Sequence, residues 1–450
     1  MPRMSARICI AGGGPTGLMM ARLLAEDGHE VTVYEADSEI GGLCRSRVVD
    51  GYTFDLAGGH IMFTRDQRVA DFWTELFVDD PCVTTERQTR ILHDKDCWVS
   101  YPFENALGEL PLEHNLECTE GVIRAHLARQ RGEPEPRDFQ KWIQWKMGAG
   151  VAKHFMEPYN RKIWKSDLSE MSTIWIAGRV PDAPLEDVLQ ASLGATTEGY
   201  THQSVFRYPR QGGFAAVHER IARPVADRIQ LNHRVERIER RPDGGWRVDG
   251  EDFDHVVSTI PLHVLPDVLA DMDDGAMEAA RALKYRGVAA YLLGVEEEFA
   301  TPYSWVYLPH ASQGPTNRIT YLSNYSPENA PRGKASIMAE VTYAGTPPDI
   351  GEQGRREVAE GLERAGLLDA SRLTITDAAI NPVSYILYDL DFEAKRNRIL
   401  DCLDNLGGFH AIGRFGRYEY HNSDQCLARA MDLHASLKPV LAKGGGPLDA

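Results

Sequence analysis

Three glycines and one glutamate near the start of the chain have the types and spacing needed to bind a dinucleotide. Gly12, Gly14 and Gly17 fit the pattern G-x-G-x-x-G, and Glu35 follows Gly17 by 18 residues. Glycine allows a tight turn, a close approach of the backbone to a pyrophosphate and close packing of the following helix. A carboxylate at the position of Glu35 accepts hydrogen bonds from ribose hydroxyl groups. An acid there favours an unphosphorylated ribose, so the pattern predicts FAD or NAD rather than NADP.

The segments around these residues predict the β–α–β unit that would hold them in place. The short apolar run "RICIA" predicts a strand, "LMMARLLAEDG" has the apolar spacing of a helix, and "EVTVYEAD" predicts the next strand. In this order the glycines lie in the turn between strand and helix, and the N–H groups of the first helical turn face the phosphates. Strand, glycine turn, helix, strand and acid in succession are much more specific than the glycines alone.

Later segments favour FAD and indicate a cofactor-binding unit built from separate parts of the chain. The segment "SEIGGLCRS", which contains Gly42 and Arg45, resembles the continuation of this motif in the large FAD-containing class of amine oxidases and protoporphyrinogen oxidases. In that class, a late segment similar to "AIGRFGRYEY" returns to the first unit and lies along the flavin, which implies cofactor contacts from Gly413, Arg414 and Asp424. The apolar segment "DHVVSTIP" predicts a further strand of the same unit.

The predicted fold class is α/β, with a Rossmann-like FAD-binding domain, a helical insertion and an antiparallel β-sheet substrate domain. Helical periodicity predicts a substrate-capping domain over 105–200, and alternating apolar residues predict the sheet domain over 286–395. Residues 441–450 are glycine-rich and are predicted to form a flexible tail. The discontinuous FAD-binding domain is predicted over 1–100, 205–285 and 400–440.

Composition and charge exclude several classes of function. The net charge is −17, whereas nonspecific binding to nucleic acid needs a basic surface. The seven cysteines are scattered, which indicates a reduced, cytoplasmic environment rather than a disulfide framework. No stretch approaches the ~18 apolar residues of a membrane-spanning helix, so no membrane association is expected. No Cys or His cluster has the spacing of metal ligands, so no metal site is predicted. The sequence leaves a homo-oligomer open.

Segments spanning nearly the whole chain resemble one family within this FAD class, the UDP-galactopyranose mutases, chiefly the eukaryotic type. They occur in the family's order, and their most specific parts are "YPF", "EPYN", "SNYSP" and "GRFG". The matching segments are "GGHIMF", "WVSYPFENALGELP", "FMEPYNRKIW", "WIAGRVPDAP", "FRYPRQGG", "RITYLSNYSP", "SYILYDLDFE" and "GRFGRYEYHNSDQ".

The resemblance implies an isomerase that uses a redox cofactor without net oxidation. Members of the family interconvert the pyranose and furanose forms of a nucleotide-diphosphate sugar, with UDP-galactopyranose and UDP-galactofuranose as the default pair. The reduced FAD is the active form: its N5 attacks the anomeric carbon and displaces the nucleoside diphosphate. The implied role is in carbohydrate biosynthesis, with a nucleotide sugar as the partner. NAD(P)H as the reductant is left open, because "ILHDKDCWV" lacks the arginine that the fungal type offers to NADPH.

The resemblance also assigns roles to individual residues. Arg179 and Arg318 match two arginines that bind the diphosphate, where guanidinium groups pair with oxygen atoms in a forked geometry. Tyr385 and Tyr420 match two tyrosines whose hydroxyl groups contact the same diphosphate. His60 matches a histidine near the N5 edge of the flavin, which can hydrogen-bond or titrate near neutral pH. The matches around the base, ribose, sugar and flavin are Tyr101, Phe103, Glu104, Asn160, Trp164, Trp305, Tyr307 and Asn324.

Two departures from the family pattern leave the base and one tyrosine open. Glu104 stands where the fungal type has a glutamine against uracil, and an ionised carboxylate only accepts hydrogen bonds. The base is therefore uracil, or an amino-bearing base such as cytosine or guanine. Ile386 stands where the family has proline after its tyrosine, so Tyr388 is a candidate to share the role of Tyr385.

Other functions are compatible with the FAD motifs. A mutase for a different nucleotide sugar would keep every feature described so far. A true oxidoreductase of the amine-oxidase type would share the cofactor motifs, but it would not need two arginines and two tyrosines that converge on a diphosphate. A flavin-binding protein without catalytic activity is the third alternative, and the number of matched polar positions argues against it.

Overall fold

The computed structural model describes residues 5–177, 179–180, 183–195 and 204–442. Residues 443–450 of the expected tail and 196–200 of the expected capping domain lie outside these ranges. The α-helices are α1 (Pro15–Glu26), α2 (Gln67–Leu76), α3 (Leu112–Gln130), α4 (Phe139–Val151), α5 (Glu157–Trp164), α6 (Leu185–Ser192), α7 (Ala215–Ala222), α8 (Leu265–Val268), α9 (Asp274–Arg281), α10 (Glu352–Arg364), α11 (Phe392–Asp404) and α12 (Ser423–Leu441). A π-helical segment, Ala152–Met156, joins α4 to α5.

The strands follow the chain in the same way. They are β1 (Arg7–Ala11), β2 (Glu30–Tyr34), β3 (Ser46–Val49), β4 (Tyr52–Asp55), β5 (Val83–Glu86), β6 (Thr89–Asp94), β7 (Cys97–Ser100), β8 (Val205–Tyr208), β9 (Ile229–Gln230), β10 (Ile238–Arg240), β11 (Trp246–Val248), β12 (Glu251–Phe253), β13 (His255–Ser258), β14 (Lys284–Val295), β15 (Trp305–Tyr307), β16 (Arg318–Tyr321), β17 (Ala335–Tyr343), β18 (Leu373–Leu387) and β19 (Phe409–Ala411).

A parallel five-stranded sheet carries the cofactor motif. Its strand order is β19-β13-β1-β2-β9, so strands from the beginning, middle and end of the chain meet in it. Ile10 of β1 pairs with Val33 on one side and with Val257 on the other. All three side chains are fully buried, as expected for a parallel sheet covered on both faces. The predicted β–α–β unit is confirmed, with α1 between β1 and β2.

The second large sheet has seven strands in the order β18-β14-β17-β16-β15-β6-β7. Its pairs are antiparallel except for β15 and β6, which run parallel. The alternating segments between 287 and 343 predicted such strands, and this part of the fold class is confirmed. β6 and β7 fall in the range 1–100 that was assigned to the FAD-binding domain. In the structure they lie at the edge of the seven-stranded sheet, where β6 pairs with β15. The sequence did not predict this pairing, because β6 and β15 are far apart along the chain and no local pattern reveals it.

A helical layer with its own hydrophobic core is formed by α3, α4, the π-helical segment, α5 and α6. Phe139 and Ile143 of α4 are fully buried in that core. α3 and α4 pack closely, since a Cβ on Gly150 of α4 would lie 2.3 Å from the carbonyl oxygen of Glu117 on α3. Within the described ranges, none of the helices has the length and apolar character that crossing a membrane requires.

Lys162 fastens this helical layer to the seven-stranded sheet. It lies on α5, and its Nζ donates to the carbonyl oxygens of Leu308 at 2.9 Å and His310 at 3.0 Å, just beyond β15. Burial lowers the pKa of Lys162 to about 7, because a charged ammonium group loses its hydration in the interior. α5 also carries Asn160 and Trp164, so the contact holds two of the expected substrate contacts against the sheet.

The buried Lys162 makes stability depend on pH in a defined direction. Its pKa falls from 10.5 to about 7 on folding, so the unfolded chain binds more protons between these values. The cost of burying the charge is therefore complete at pH 7 and below, and it disappears as the pH rises toward 10. We expect the wild type to gain up to about 1.4 kcal/mol per pH unit relative to Lys162→Met between pH 7.5 and 9. Thermal unfolding of both proteins measures this, and a difference that stays constant with pH would contradict it.

Candidate active site

The cofactor turn opens onto a cavity of about 710 Å³. Its wall is formed by the glycine turn, the loop after β4 and the segment after β19. The expected cofactor contacts on this wall are Gly12, Gly14, Glu35, Gly42, Arg45, Gly413, Arg414 and Asp424. Gly17 lies behind the turn, buried in α1. The structure therefore brings these residues, from distant parts of the sequence, around one cavity.

The glycines of the turn are needed for different reasons, which the space around each α-carbon reveals. Gly12 has a φ of +110°, and a Cβ there would lie 2.1 Å from Oγ1 of Thr259. A Cβ on Gly17 would lie 2.0 Å from the carbonyl oxygen of Gly12. A Cβ on Gly14 would meet nothing within 4 Å. The fold itself requires Gly12 and Gly17, whereas Gly14 leaves open the space at the helix N-terminus that a pyrophosphate would occupy.

Substitutions at Gly14 and Gly17 should separate cofactor binding from folding. We expect Gly17→Ala to destabilise the protein by about 1–3 kcal/mol, because its methyl group overlaps the backbone of the turn. Gly14→Asp places a favourable residue at the N-cap of α1, so the fold should be kept. Its charge should nevertheless repel a pyrophosphate and weaken flavin binding at least about tenfold. Thermal unfolding of the flavin-free proteins and flavin absorbance after gel filtration measure both effects. Wild-type flavin retention by Gly14→Asp would contradict this assignment of the cavity.

Glu35 and Arg45 fix the loop after β2 against the glycine turn. The two carboxylate oxygens of Glu35 accept hydrogen bonds from the backbone N–H groups of Gly13 at 2.7 Å and Asp37 at 2.9 Å. A carboxylate has further lone pairs, so Glu35 can still accept from ribose hydroxyl groups. Nε of Arg45 donates to the carbonyl oxygen of Gly42 at 2.8 Å, and its guanidinium pairs with Asp37 at 3.0 Å.

A second cavity, of about 730 Å³, lies against the helical layer and joins the first cavity along a shared wall, which we call the seam. Arg179 and four expected substrate contacts line the second cavity away from the seam: Tyr101, Glu104, Asn160 and Trp164. The residues common to both cavities, which define the seam, are Phe63, Trp305, Tyr307, Arg318, Tyr385, Tyr420, His421, Asn422 and Asp424. A molecule bound in the second cavity would therefore reach the cofactor cavity across the seam.

Arg318 is held at the seam by a buried carboxylate. Its Nε and Nη2 donate to Oε1 and Oε2 of Glu340 at 2.7 and 2.9 Å, the forked geometry of arginine–carboxylate pairs. Glu340 is wholly buried in β17, and Arg318 begins the neighbouring β16. Burial disfavours the charge of Arg318, but the Glu340 carboxylate holds the pKa of Arg318 well above its ordinary value. The guanidinium keeps further N–H groups with which it can bind an anion.

Two more arginines flank the two tyrosines of the seam, Arg179 from the second cavity and Arg414 from the first. The guanidinium of Arg179 lies 3.8 Å from the ring centre of Tyr420, and that of Arg414 lies 4.5 Å from the same ring. The rings of Tyr385 and Tyr420 are stacked, with centroids 6.5 Å apart. Arg414 also donates to backbone carbonyl oxygens, including that of Ser384 at 2.9 Å. Ring and carbonyl contacts do not neutralise a guanidinium group, so an anionic ligand would be bound favourably at this point.

His60 lies beside the seam on the loop after β4. Burial, together with Arg414 and Arg318, lowers the pKa of His60 to about 3, so its imidazole is neutral at pH 7. This differs from the expectation that His60 titrates near neutral pH, and the cause is a buried position beside two guanidinium groups. The loop is anchored by Asp55, whose Oδ1 accepts from the hydroxyl group of Tyr208 at 2.9 Å. A neutral imidazole can donate or accept a hydrogen bond without adding charge.

The expected base and ribose contacts are fixed by bonds within the helical layer. Nε1 of Trp164 donates to Oδ1 of Asn160 at 3.1 Å, and Nδ2 of Asn160 donates to the carbonyl oxygen of Met156 at 2.7 Å. Across the cavity, the rings of Tyr101 and Tyr307 pack with centroids 5.4 Å apart. The second cavity therefore offers aromatic surfaces against which a base could stack.

Phe103 and Asn324, two of the expected substrate contacts, are not among the residues that line either cavity. Phe103 is fully buried in the core of the helical layer, where its ring stacks on Phe155 with centroids 5.1 Å apart. Nδ2 of Asn324 donates to the carbonyl oxygens of Thr301 and Tyr303 at 2.9 and 2.8 Å, so it braces the loop before β15. Both residues have structural partners that sequence similarity alone did not reveal.

The two candidate tyrosines near the end of β18 have different surroundings. Tyr385 lines both cavities. Ile386 is fully buried in a separate hydrophobic core, as is Tyr388, which packs on Phe392 with ring centroids 4.6 Å apart. Tyr385 is thus the one of the two that a bound ligand would meet, and the departure at Ile386 does not alter the cavity wall.

Comparison with known proteins places this site in a family. A family model described as flavin containing amine oxidoreductase matches residues 15–388. The chain belongs to this family. It is also similar to a solved structure of reduced UDP-galactopyranose mutase, with 25% sequence identity, a TM-score of 0.87 and 98% of each chain covered. The resemblance to the UDP-galactopyranose mutases within the FAD class is thereby confirmed.

Curated relatives cover different shares of the chain. Protoporphyrinogen oxidase 1, chloroplastic, of Arabidopsis thaliana is 22% identical over 417 residues, which are 83% of this chain and 75% of that protein. An uncharacterized protein of Methanothermococcus thermolithotrophicus is 45% identical over 60 residues, which are 13% of this chain. The chain spans 58% of the length of that second relative, so the match concerns only part of each protein.

The first cavity fits the FAD that membership of the flavin-containing amine oxidoreductase family implies. Gly14 leaves space for a pyrophosphate beside the N-terminus of α1, and Glu35 supplies an acceptor for ribose. Gly413, with a φ of +92°, brings the last segment of the chain against Thr16 of α1. These residues would hold the dinucleotide between the beginning and the end of the chain.

The sequence analysis did not single out Glu340 and Asp55, although each is a carboxylate within an otherwise mainly apolar or aromatic strand segment. Glu340 stands within "ASIMAEVTY", a strand in which every residue is buried, and Asp55 ends the fully buried strand "YTFD". A carboxylate inside such a strand requires a donor or a cation as partner. Tyr159 also lines the second cavity and was likewise not singled out, although it lies within the matching segment "FMEPYNRKIW".

Proposed function

We propose that the chain is a flavin-dependent mutase that interconverts the pyranose and furanose forms of a nucleoside-diphosphate sugar, with UDP-galactose as the default. The observation that carries this proposal is the group of Arg179, Arg318 and Arg414 around two stacked tyrosines, where the two cavities join. A diphosphate offers the oxygen atoms that arginine binds in a forked geometry. Similarity to reduced UDP-galactopyranose mutase over 98% of the chain supports the same activity.

In this proposal, Arg318 and Arg179 bind the diphosphate while its bond to the anomeric carbon breaks. The departing diphosphate gains negative charge, and guanidinium groups that are already in place stabilise the transition state where that charge develops. Glu340 is a positioning residue, because its forked bond to Arg318 fixes the guanidinium before substrate arrives. Tyr385 and Tyr420 would donate hydrogen bonds to the same oxygen atoms.

The reaction exchanges one ring oxygen for another and moves no electrons overall. The bond from the anomeric carbon to the diphosphate breaks, the sugar ring opens, a different hydroxyl group closes it, and the same diphosphate returns to the anomeric carbon. When bound and reduced, FAD supplies a nucleophilic nitrogen at N5. Trp305 and Tyr307 would shield the open sugar from water, and neutral His60 would hold a hydrogen bond without repelling a cationic carbon. An external donor would reduce the cofactor, and NAD(P)H is the first to test.

The nucleotide base would lie near Glu104, which is 7% exposed and lines the second cavity. An ionised carboxylate can accept a hydrogen bond from N3–H of uracil, and equally from the amino group of cytosine or guanine. Calorimetric titration of the FAD-loaded protein with UDP, CDP, GDP and dTDP ranks the bases. Tight binding of any one of them supports a nucleotide-sugar substrate and names its base. If none of the four binds, the proposed function is wrong.

The second candidate is a true FAD-dependent oxidoreductase, which the similarity to protoporphyrinogen oxidase 1 of Arabidopsis favours. Such an enzyme would turn over with oxidised flavin and would have no use for arginines that bind a diphosphate. Oxygen uptake during incubation with amine or porphyrinogen substrates tests it. If the protein consumes oxygen rapidly with one of these substrates and binds none of the four nucleoside diphosphates, the oxidoreductase replaces the mutase proposal.

A further inference from the structure

Three histidines meet at the junction of the seven-stranded sheet and the helical layer. His93 comes from β6, His114 from α3 and His154 from the π-helical segment, and one ring nitrogen of each lies within 4.8 Å of the others. Neither of the two cavities described above includes any of the three. The flavin and substrate sites therefore do not account for the cluster, which we call the histidine cluster.

Two of these histidines lie on irregular backbone. The pairing of β6 with β7 shifts register between Leu92 and Asp94, so His93 is the extra residue of a β-bulge. His154 lies in the π-helical turn between α4 and α5. β-bulges redirect a side chain, and π-helical turns are frequent at functional sites. Both irregularities place a histidine in the same cluster.

The hydrogen bonds of the cluster match those of metal-binding histidines. Nε2 of His93 and Nδ1 of His114 lie 2.9 Å apart and share a hydrogen bond, so one of them carries a proton that a bound metal ion would replace. Nε2 of His154 lies 2.7 Å from Oε2 of Glu117, one helical turn after His114 on α3. A histidine that binds a metal through one nitrogen commonly donates the other N–H to a carboxylate, which orients the ring.

Burial leaves one nitrogen of the cluster without a partner. His93 is 7% exposed and His154 is 6% exposed. Nδ1 of His93 is buried and forms no hydrogen bond with the described residues. A buried polar atom without a partner is costly, and a function at the site is one reason for a protein to keep it.

The charged groups around the cluster are compensated locally. Nζ of Lys153 pairs with Glu117 at 2.7 Å, on the carboxylate that also holds His154. Lys162 is directed to the carbonyl oxygens of Leu308 and His310. The ring of His310 lies 5.6 Å from that of His93 and could approach as a fourth ligand. The ammonium groups of Lys153 and Lys162 are therefore bound to other partners. A metal cation in the cluster would not have to lie against either free charge.

We propose that His93, His114 and His154 form a binding site for a divalent transition-metal ion, with zinc as the first choice. Imidazole nitrogens suit Zn²⁺, and three of them with one open or water-filled position form a common tetrahedral set. Nitrogens that share a tetrahedral zinc lie about 3.3 Å apart. The nitrogens of the cluster now range from 2.9 Å apart to within 4.8 Å, so small side-chain rotations would bring them to that spacing. The ion would connect the edge of the sheet to α3 and the π-helical segment, and so fasten the helical layer.

The test uses the full-length, FAD-loaded protein. A chelator first removes bound metal, and calorimetry then measures the binding of added Zn²⁺. His114 is half-buried, so His114→Gln removes a ligand with little effect on packing. His126→Gln is the matched control, since His126 lies further along the same helix and outside the cluster. We expect one ion per chain in the wild type and in His126→Gln, and loss of this binding in His114→Gln. Glu117→Gln should weaken binding about 10–100-fold.

Thermal stability and the absorption spectrum with Co²⁺ provide two further tests of the metal site. Zn²⁺ should raise the melting temperature of the wild type and of His126→Gln, but not that of His114→Gln. Co²⁺ in place of Zn²⁺ should give the visible absorption of a four-coordinate site, beyond the flavin bands. Equal Zn²⁺ binding by wild type and His114→Gln, or no binding by the wild type, would overturn the proposal. Neither result bears on the mutase reaction, because the cluster lies outside both cavities.

Discussion

Arg318→Lys should lower kcat/KM for the sugar nucleotide by about 10²–10³-fold while the flavin content stays at the wild-type level. An ammonium group carries its donors on one atom, so it cannot reproduce the planar fork on Glu340 and still present a second edge of N–H groups to a diphosphate. The variant conserves the positive charge, so Glu340 remains paired and the fold should be kept. Initial rates of UDP-galactofuranose conversion by reduced protein, together with flavin absorbance, give the two quantities.

Arg47→Lys is the matched control for this substitution. Arg47 pairs with Asp377 at 2.5 Å on the surface, so its replacement should leave the rate unchanged. A wild-type rate in Arg318→Lys would mean that the diphosphate binds elsewhere. Loss of flavin together with the rate would assign Arg318 to cofactor binding, which also contradicts the proposed role.

Glu340→Gln should destabilise the protein by about 1–3 kcal/mol, because it leaves the half-buried guanidinium of Arg318 without a carboxylate. Glu340 is wholly buried, and breaking a buried pair costs more than the pair itself contributes. The KM for the sugar nucleotide should rise as well, since Arg318 is no longer held in position. Urea unfolding of the flavin-free proteins measures the free energy of unfolding, and substrate titration measures the KM.

Glu296→Gln is the control for Glu340→Gln, because it removes a carboxylate from an exposed ion pair instead of a buried one. Glu296 pairs with Lys334 at 2.7 Å on the surface, and exposed pairs contribute about 0–1 kcal/mol. The double variant Arg318→Gln/Glu340→Gln should recover part of the lost stability without recovering activity. Equal destabilisation by Glu340→Gln and Glu296→Gln would show that the buried pair has no special role.

The cofactor motif could be predicted from sequence because its signals are local. Gly12, Gly14 and Gly17 lie within one strand–helix turn, and the alternation of β14 to β17 is visible along the chain itself. The family resemblance then located Arg318 and Tyr385, which the structure brings to one seam.

Other features depend on contacts between residues far apart in sequence. Glu340 matters because β16 pairs with β17 in a register that sets it beside Arg318. The histidine cluster draws on residues 93, 114 and 154, so no ligand spacing is visible in the sequence. Asn324, expected on the sugar or flavin side, donates to a carbonyl oxygen of the loop before β15, a contact that only the tertiary structure reveals.

Turnover of UDP-galactofuranose by the purified, FAD-loaded protein, measured with and without dithionite, tests the central claim most directly. We predict that UDP-galactopyranose forms only after reduction, and that many turnovers follow each reduction because the reaction consumes no electrons. Equal conversion by the oxidised protein would contradict the role of reduced flavin. No conversion by a reduced protein that binds UDP tightly would contradict the reaction itself, at least for galactose.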